Sequence, residues 1–219
     1  MSESADDDET DDEAGAKTGS QATARKPPRP VTQAWLQRAA LYYLERYSAS
    51  SAQLHKVLAR KVETRLRLRG EADDPQIAGP ARALIAGVVE QAVSGGYVDD
   101  AAYARARVAS LRRRGGSHRA IMAKLRGKGL DPALIEEALA EDVAEAQAEG
   151  QANGEAPDDD DADARARREY EAARAYARRR RLGPHRTPPQ PERRDRDIAA
   201  MARAGFALAL AIHVIDDTD

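Results

Sequence analysis

Two six-residue stretches constrain the fold of this chain more than anything else in it. Leu125-Arg126-Gly127-Lys128-Gly129-Leu130 and Met201-Ala202-Arg203-Ala204-Gly205-Phe206 share one pattern: an apolar residue, a basic residue within two or three positions, glycine four after the apolar residue, and an apolar residue directly behind it. Glycine can take the left-handed conformation that ends a helix, and the apolar residue behind it folds back onto the helix just finished. The pattern is a helix stop. A weaker copy at Leu58-Ala59-Arg60-Lys61-Val62 puts Val62 in the glycine position. Three copies imply three units of three helices, each too small to bury much alone, so neighbours should pack in series. The expected fold is all-α, with tandem three-helix units forming an elongated, curved helical array.

The apolar periodicity places the helices. Trp35, Leu36, Ala39, Ala40, Tyr43, Leu44 and Tyr47 recur at three- and four-residue spacing in a first helix ending near Ser48. Ser48 or Ser50 caps a second, with Leu54, Val57, Leu58 and Val62 on its inner face, and the polar stretch from Thr64 to Gly79 reads as a loop or a frayed extension. Further helices are expected over 81–93, from Asp99 to the Gly115-Gly116 pair, from Ser117 to Gly127, and from the Asp131-Pro132 start signal onward. Three more follow over about 165–181, 192–204 and 207–215, the last nearly all apolar and therefore expected to be deeply buried or in contact with something. The resulting division is an acidic and proline-rich disordered arm (1–32), a first unit (33–96), a second (97–149), an acidic linker (150–163), a third unit (164–215) and an acidic tail (216–219).

The formal net charge of −2 hides a segregation. Eighteen of the 37 acids lie in residues 1–24, 149–163 and 216–219, alongside one of the 35 bases, so the remainder carries 34 bases against 19 acids. A body near +15 favours a polyanion, most simply nucleic acid, as partner. The absence of cysteine fits a reducing compartment, and eight acids without a base in the first sixteen residues are the opposite of an export signal. A cytoplasmic location is expected. The longest apolar run, 204–215, contains His213 and falls short of the roughly 20 residues a membrane span requires.

Little in the sequence points to catalysis. Asp99 and Asp100 are adjacent carboxylates, but their place before a helix makes capping and dipole stabilisation a sufficient explanation. His55, His118, His185 and His213 form no metal-ligand spacing, and no phosphate-cradling glycine loop follows a strand. No metal, cofactor or catalytic residue is assigned. The better candidates are basic. Arg112, Arg113 and Arg114 close one helix; Arg119, Lys124, Arg126 and Lys128 lie on or just after the next and could extend one face. Arg178, Arg179, Arg180 and Arg181 are four in a row, so one or two should approach the core unless a partner neutralises them. Trp35, Tyr42, Tyr43, Tyr47, Tyr97 and Tyr103 are read as core or half-buried packing.

At Tyr97-Val98-Asp99-Asp100-Ala101-Ala102-Tyr103-Ala104, followed by Arg107-Val108, Arg112-Arg113-Arg114-Gly115, Ile121, Leu125 and Lys128-Gly129-Leu130, the sequence resembles the RecX family of bacterial recombinase regulators. Arg203-Ala204-Gly205-Phe206 resembles the family's third-unit element, and Ala39, Leu41, Tyr43 and Leu44 with Ser48 and Leu54 to Leu58 match its first helix pair. The resemblance spans roughly 33–215 and is strongest over 97–130. Arg178 to Pro184 with the nearby proline-rich loop is similar to longer alphaproteobacterial versions. The resemblance implies a non-enzymatic monomer that binds RecA on single-stranded DNA and dampens its strand exchange, ATPase and coprotease activities, within recombination, DNA repair and the SOS response. It also implies that Tyr97, Asp99, Asp100, Tyr103, Ala104, Gly115, Gly129, Gly205 and Phe206 are structural. The acidic arm, the long loop between the second and third helices, the acidic insert and the apolar last helix depart from the family pattern. Two alternatives stay open: an independent basic DNA- or RNA-binding module such as a transcriptional regulator, and a nuclease using Asp99 and Asp100 with a divalent ion.

Overall fold

The computed structural model describes residues 27–154 and 160–217. The acidic run at 3–13, the centre of the acidic insert and the last two residues lie outside the described residues. Among the described residues the chain is helical throughout: α1 (Gln33–Leu44), α2 (Ser51–Arg69), α3 (Pro75–Ser94), α4 (Asp100–Arg112), α5 (His118–Gly127), α6 (Pro132–Ala152), α7 (Asp161–Arg180), α8 (Arg194–Arg203) and α9 (Leu208–Asp216). Short 3-10 turns at Gly183–His185 and Pro191–Arg193 lead into α8. The helices pack as α1–α3, α4–α6 and α7–α9, with α6 lying against α7. This is a helical repeat array.

Each unit has its own core. The first packs Leu36, Leu54, Leu58, Val62, Leu66 and Ile85. The second packs Tyr103, Val108, Ile121, Leu125, Ile135 and Leu139. In the third, Ala172, Ala173 and Ala177 bring α7 close to Met201, Phe206 and Val214. The starts follow the sequence signals: Thr32, Ser50, Asp74, Asp99, Ser117, Asp131 and Asp160 each accept a hydrogen bond from the first turn of the helix they precede.

The stops are where the sequence reading needs correction. Gly129 and Gly205 are left-handed (φ 86° and 96°), and the Leu130 and Phe206 amides donate back to the Leu125 and Met201 carbonyls at 3.2 and 3.3 Å. The same six-to-one bond in the first unit runs from Glu71 N–H to Leu66 O at 2.9 Å, around Gly70. The first copy of the stop is thus Leu66-Arg67-Leu68-Arg69-Gly70, not the stretch ending at Val62, which is fully buried inside α2. Nothing at Val62 breaks a helix, so α2 continues to Arg69, and α3 begins at Pro75 and absorbs Pro80 near its start, leaving only residues 70–74 of the expected loop outside a helix. The acidic linker is also shorter than expected, because α6 runs on to Ala152 and Asp160 caps α7. At the C-terminus, α9 buries Ala211, Val214 and Ile215 but leaves Leu208 and Ile212 exposed, so it is not deeply buried on all sides.

Candidate functional site

The two contacts that join consecutive units are built alike. In the first, Gly129 at the end of α5 comes so close to the start of α2 that a Cβ there would lie 2.6 Å from Ala52 Cβ. In the second, a Cβ on Gly205 at the end of α8 would lie 2.6 Å from Ser117 Oγ at the start of α5. A carboxylate from the first helix of the later unit accepts the leading N–H of the same helix start. Asp100 takes Ser51 N–H at 2.7 Å and Ser51 Oγ–H, and Glu169 takes His118 N–H with both oxygens at 3.1 Å. A negative charge there meets unsatisfied N–H groups and the positive end of the helix dipole. Ser50 and Ser117, the two N-caps, are completely buried beneath these contacts.

The second junction carries a further layer. Arg112, 5% exposed, donates from Nη1 to Glu169 at 2.6 Å and to Gly116 O at 3.1 Å. Its Nε lies 3.4 Å from Asp142 Oδ2 without a hydrogen bond. Arg168 grips the same Asp142 through Nε and Nη2 at 2.8 and 2.9 Å, and that hydrogen-bonded carboxylate holds the Arg168 guanidinium above its ordinary pKa. Arg112 and Asp142 are the buried members of this cluster and Arg168 and Glu169 its half-buried ones, with Glu171 pairing Arg168 at the rim at 2.9 Å. Arg112 is therefore corrected from surface contact to structural residue, because it is buried and ion-paired with two acids inside the second junction.

With Arg112 turned inward, its neighbours form something else. Arg114 and Lys124 of the second unit and Arg179 and Arg180 of the third line one cleft of about 380 Å³, floored by Gly115, Gly116 and Tyr176. The two arginines lie about 5.9 and 5.8 Å from the centre of the Tyr176 ring. None of the four cations is within ion-pair distance of a carboxylate among the described residues, whereas Arg69, Arg82, Arg168, Arg186 and Arg194 each have one. The units approach closely because Gly115 (φ 71°) has no side chain, a Cβ there lying 2.4 Å from Tyr176 N.

Other predicted residues fall elsewhere. Arg113, Arg119, Arg126, Arg178 and Arg181 are exposed, and Lys128 is half-buried at the close of α5, all outside the cleft lining. Arg119 and Arg126, seven apart, share one helix face, while Lys124 lies about 140° around from Arg119, so these cations do not extend one face. None of Arg178–Arg181 approaches the core. α7 ends at Arg180, Arg181 takes the left-handed capping conformation (φ 54°), and Ala177 and Leu182 fill the inward positions instead. Tyr103 is buried and Trp35 and Tyr43 are half-buried, but Tyr42, Tyr47 and Tyr97 are exposed rather than core: Tyr42 carries the Arg46 guanidinium, Tyr47 lies against the Tyr43 ring, and Tyr97 covers the turn at Gly95. Asp99 caps α4 and Asp100 joins two units, so both carboxylates are engaged structurally. Among the described residues no cluster of three or more metal-ligating side chains occurs, and no helix is long and apolar enough to cross a membrane. Sequence reasoning missed Tyr176, although its three- and four-residue spacing from Arg179 and Arg180 is a usable signal.

Comparison with known proteins fits this architecture. Residues 99–139, which cover α4, α5 and the start of α6, match the family model for the RecX second three-helix domain. The chain is also 38% identical over 193 residues to the Regulatory protein RecX of Myxococcus xanthus, covering 87% of this chain and 89% of that protein. The chain belongs to the RecX family. No solved structure gives a significant match. In this RecX chain the matched domain contributes one wall of the basic cleft, Arg114 and Lys124, and the third unit supplies the other. The protein is a RecX-type regulator whose basic cleft spans two repeats.

Proposed function

We propose that the chain is a cytoplasmic, non-enzymatic regulator of RecA that binds the recombinase filament on single-stranded DNA and lowers its ATPase, strand-exchange and coprotease activities. Membership of the RecX family supports the regulatory role, and the observation that carries the mode of binding is the cleft. Arg114, Lys124, Arg179 and Arg180 converge from two units without acidic partners among the described residues, an arrangement suited to a phosphate backbone lying between repeats. Guanidinium groups bind phosphate through paired N–H donors, and the adjoining units bring three of them and a lysine to one cleft.

The direct test adds the purified protein to RecA on single-stranded DNA and follows ATP hydrolysis. Inhibition at protein concentrations comparable to RecA is expected, together with weaker inhibition by a variant carrying glutamine at all four cleft positions. No inhibition and no association with the filament would overturn the reading. Strong, salt-steep binding to free DNA with no effect on RecA would assign the cleft to an independent nucleic-acid-binding module instead.

A further inference from the structure

We propose that the basic cleft between the second and third units is a docking surface for the chain's own acidic N-terminal segment, residues 3–13, which competes there with external polyanions. This rests on reading the cleft as a polyanion site. The four cleft cations lack carboxylate partners among the described residues, while the arginines buried or half-buried elsewhere largely have them. The largest single run of acids in the chain stands at its N-terminal side. Residues 1–24 hold eight carboxylates and one lysine, and all eight fall between Glu3 and Glu13.

The tether makes the encounter intramolecular. The described chain begins at Pro27 beside the first unit, where Arg69 Nη1 donates to Pro28 O at 2.5 Å and Arg69 is itself paired with Glu71. From residue 8 to that anchor is a contour of at most about 70 Å, at roughly 3.3–3.6 Å per residue. A three-helix unit is about 20 Å across at interaxial spacings of 8–10 Å, so contour length does not limit contact with a cleft two units away. A short tether sets an effective concentration in the millimolar range, high enough for a weak contact between opposite charges to populate. Such a contact between partly exposed charges is screened within about 10 Å at 0.1 M salt, so it weakens steeply as salt is added.

The chain lacks cysteine, so a single Ser4→Cys substitution in the full-length protein gives a unique attachment point for a nitroxide spin label. The amide signals of Gly116, Ala120 and Lys124 are then compared with the label oxidised and reduced. At low salt these signals should lose most of their intensity with the label oxidised, and the loss should vanish in 0.5 M salt and in a variant with the eight carboxylates between Glu3 and Glu13 replaced by their amides. Undiminished cleft signals, or a loss that persists after the carboxylates are neutralised, would overturn the proposal. The measurement needs neither RecA nor DNA, so its failure is separate from failure of the regulator reading.

Discussion

The two junctions of this array use one device at different strengths. Both seat the glycine that closes the second helix of one unit on the start of the second helix of the previous unit, over a buried serine cap, with a carboxylate on the leading N–H. The first junction adds little to this, and contacts between helices of the first and second units are sparse. The second adds the Arg112, Asp142, Arg168 and Glu169 cluster, the packing of α6 on α7, and the interlock of Gly115 with Tyr176. The difference shows what a buried ion cluster contributes to a repeat protein. Removing two charges from water costs much of what their attraction returns, so the gain lies in fixing one arrangement. That arrangement holds Arg114 and Lys124 opposite Arg179 and Arg180. The third unit differs at the matching position: α8 starts at Arg194 behind Arg193, which makes no side-chain cap, where the earlier units present a buried serine.

The contrast can be broken most severely at Asp142. Asp142→Ala leaves Arg112 and Arg168 without their shared carboxylate and should cost about 3–5 kcal/mol in urea unfolding. Asp100→Ala at the first junction removes two hydrogen bonds from a partly buried site and should cost about 1–2 kcal/mol. Equal costs would show that the junctions do not differ in the way described.

Next in size is Gly115→Ala, which combines a left-handed backbone with a Cβ driven into the Tyr176 and Ala172 backbone and should cost about 2–4 kcal/mol. Gly129→Ala meets only the Ala52 methyl across a sparser interface that can give way, and about 1–2 kcal/mol is expected in the same measurement. The smallest effect concerns pH. Arg194 hydrogen-bonds Asp216 and holds its carboxyl below the ordinary value. A depressed folded-state pKa gives a contribution that is complete above the usual aspartate range and is lost as pH falls through the folded value, so Asp216→Asn should slightly flatten the loss of stability below about pH 4. An unchanged acid titration would remove that pair from the account.

Much of the fold was legible because its signals are local. The Gly129 and Gly205 stops, the Asp99 and Ser117 caps and the Asp131-Pro132 start depend on a few consecutive residues. The Val62 misreading has a physical cause: apolar and basic residues alternate along all of α2, so the stop pattern fits at two registers, and only Gly70 terminates the helix. The site was legible as a list of cations and not as a place. Arg112 closes α4 and Arg114 lies in the turn directly behind it, and the fold buries one and opens the other into the cleft. Nothing in the local sequence distinguishes them, because the acids that decide it, Asp142 and Glu169, lie 30 and 57 residues from Arg112. The segregation of charge was also only partly a matter of tails: Asp160 caps α7, Asp216 pairs with Arg194, and Asp217 accepts from Tyr170 Oη.

The salt dependence of association with RecA filaments on single-stranded DNA tests the central claim most directly. It compares the intact protein with a variant carrying glutamine at Arg114, Lys124, Arg179 and Arg180. Each cation on a single-strand phosphate contributes about 0.7 to the slope of log affinity against log salt, so the variant should bind more weakly with a slope reduced by about 3. An unchanged slope with unchanged affinity would contradict the assignment of the cleft as the contact surface.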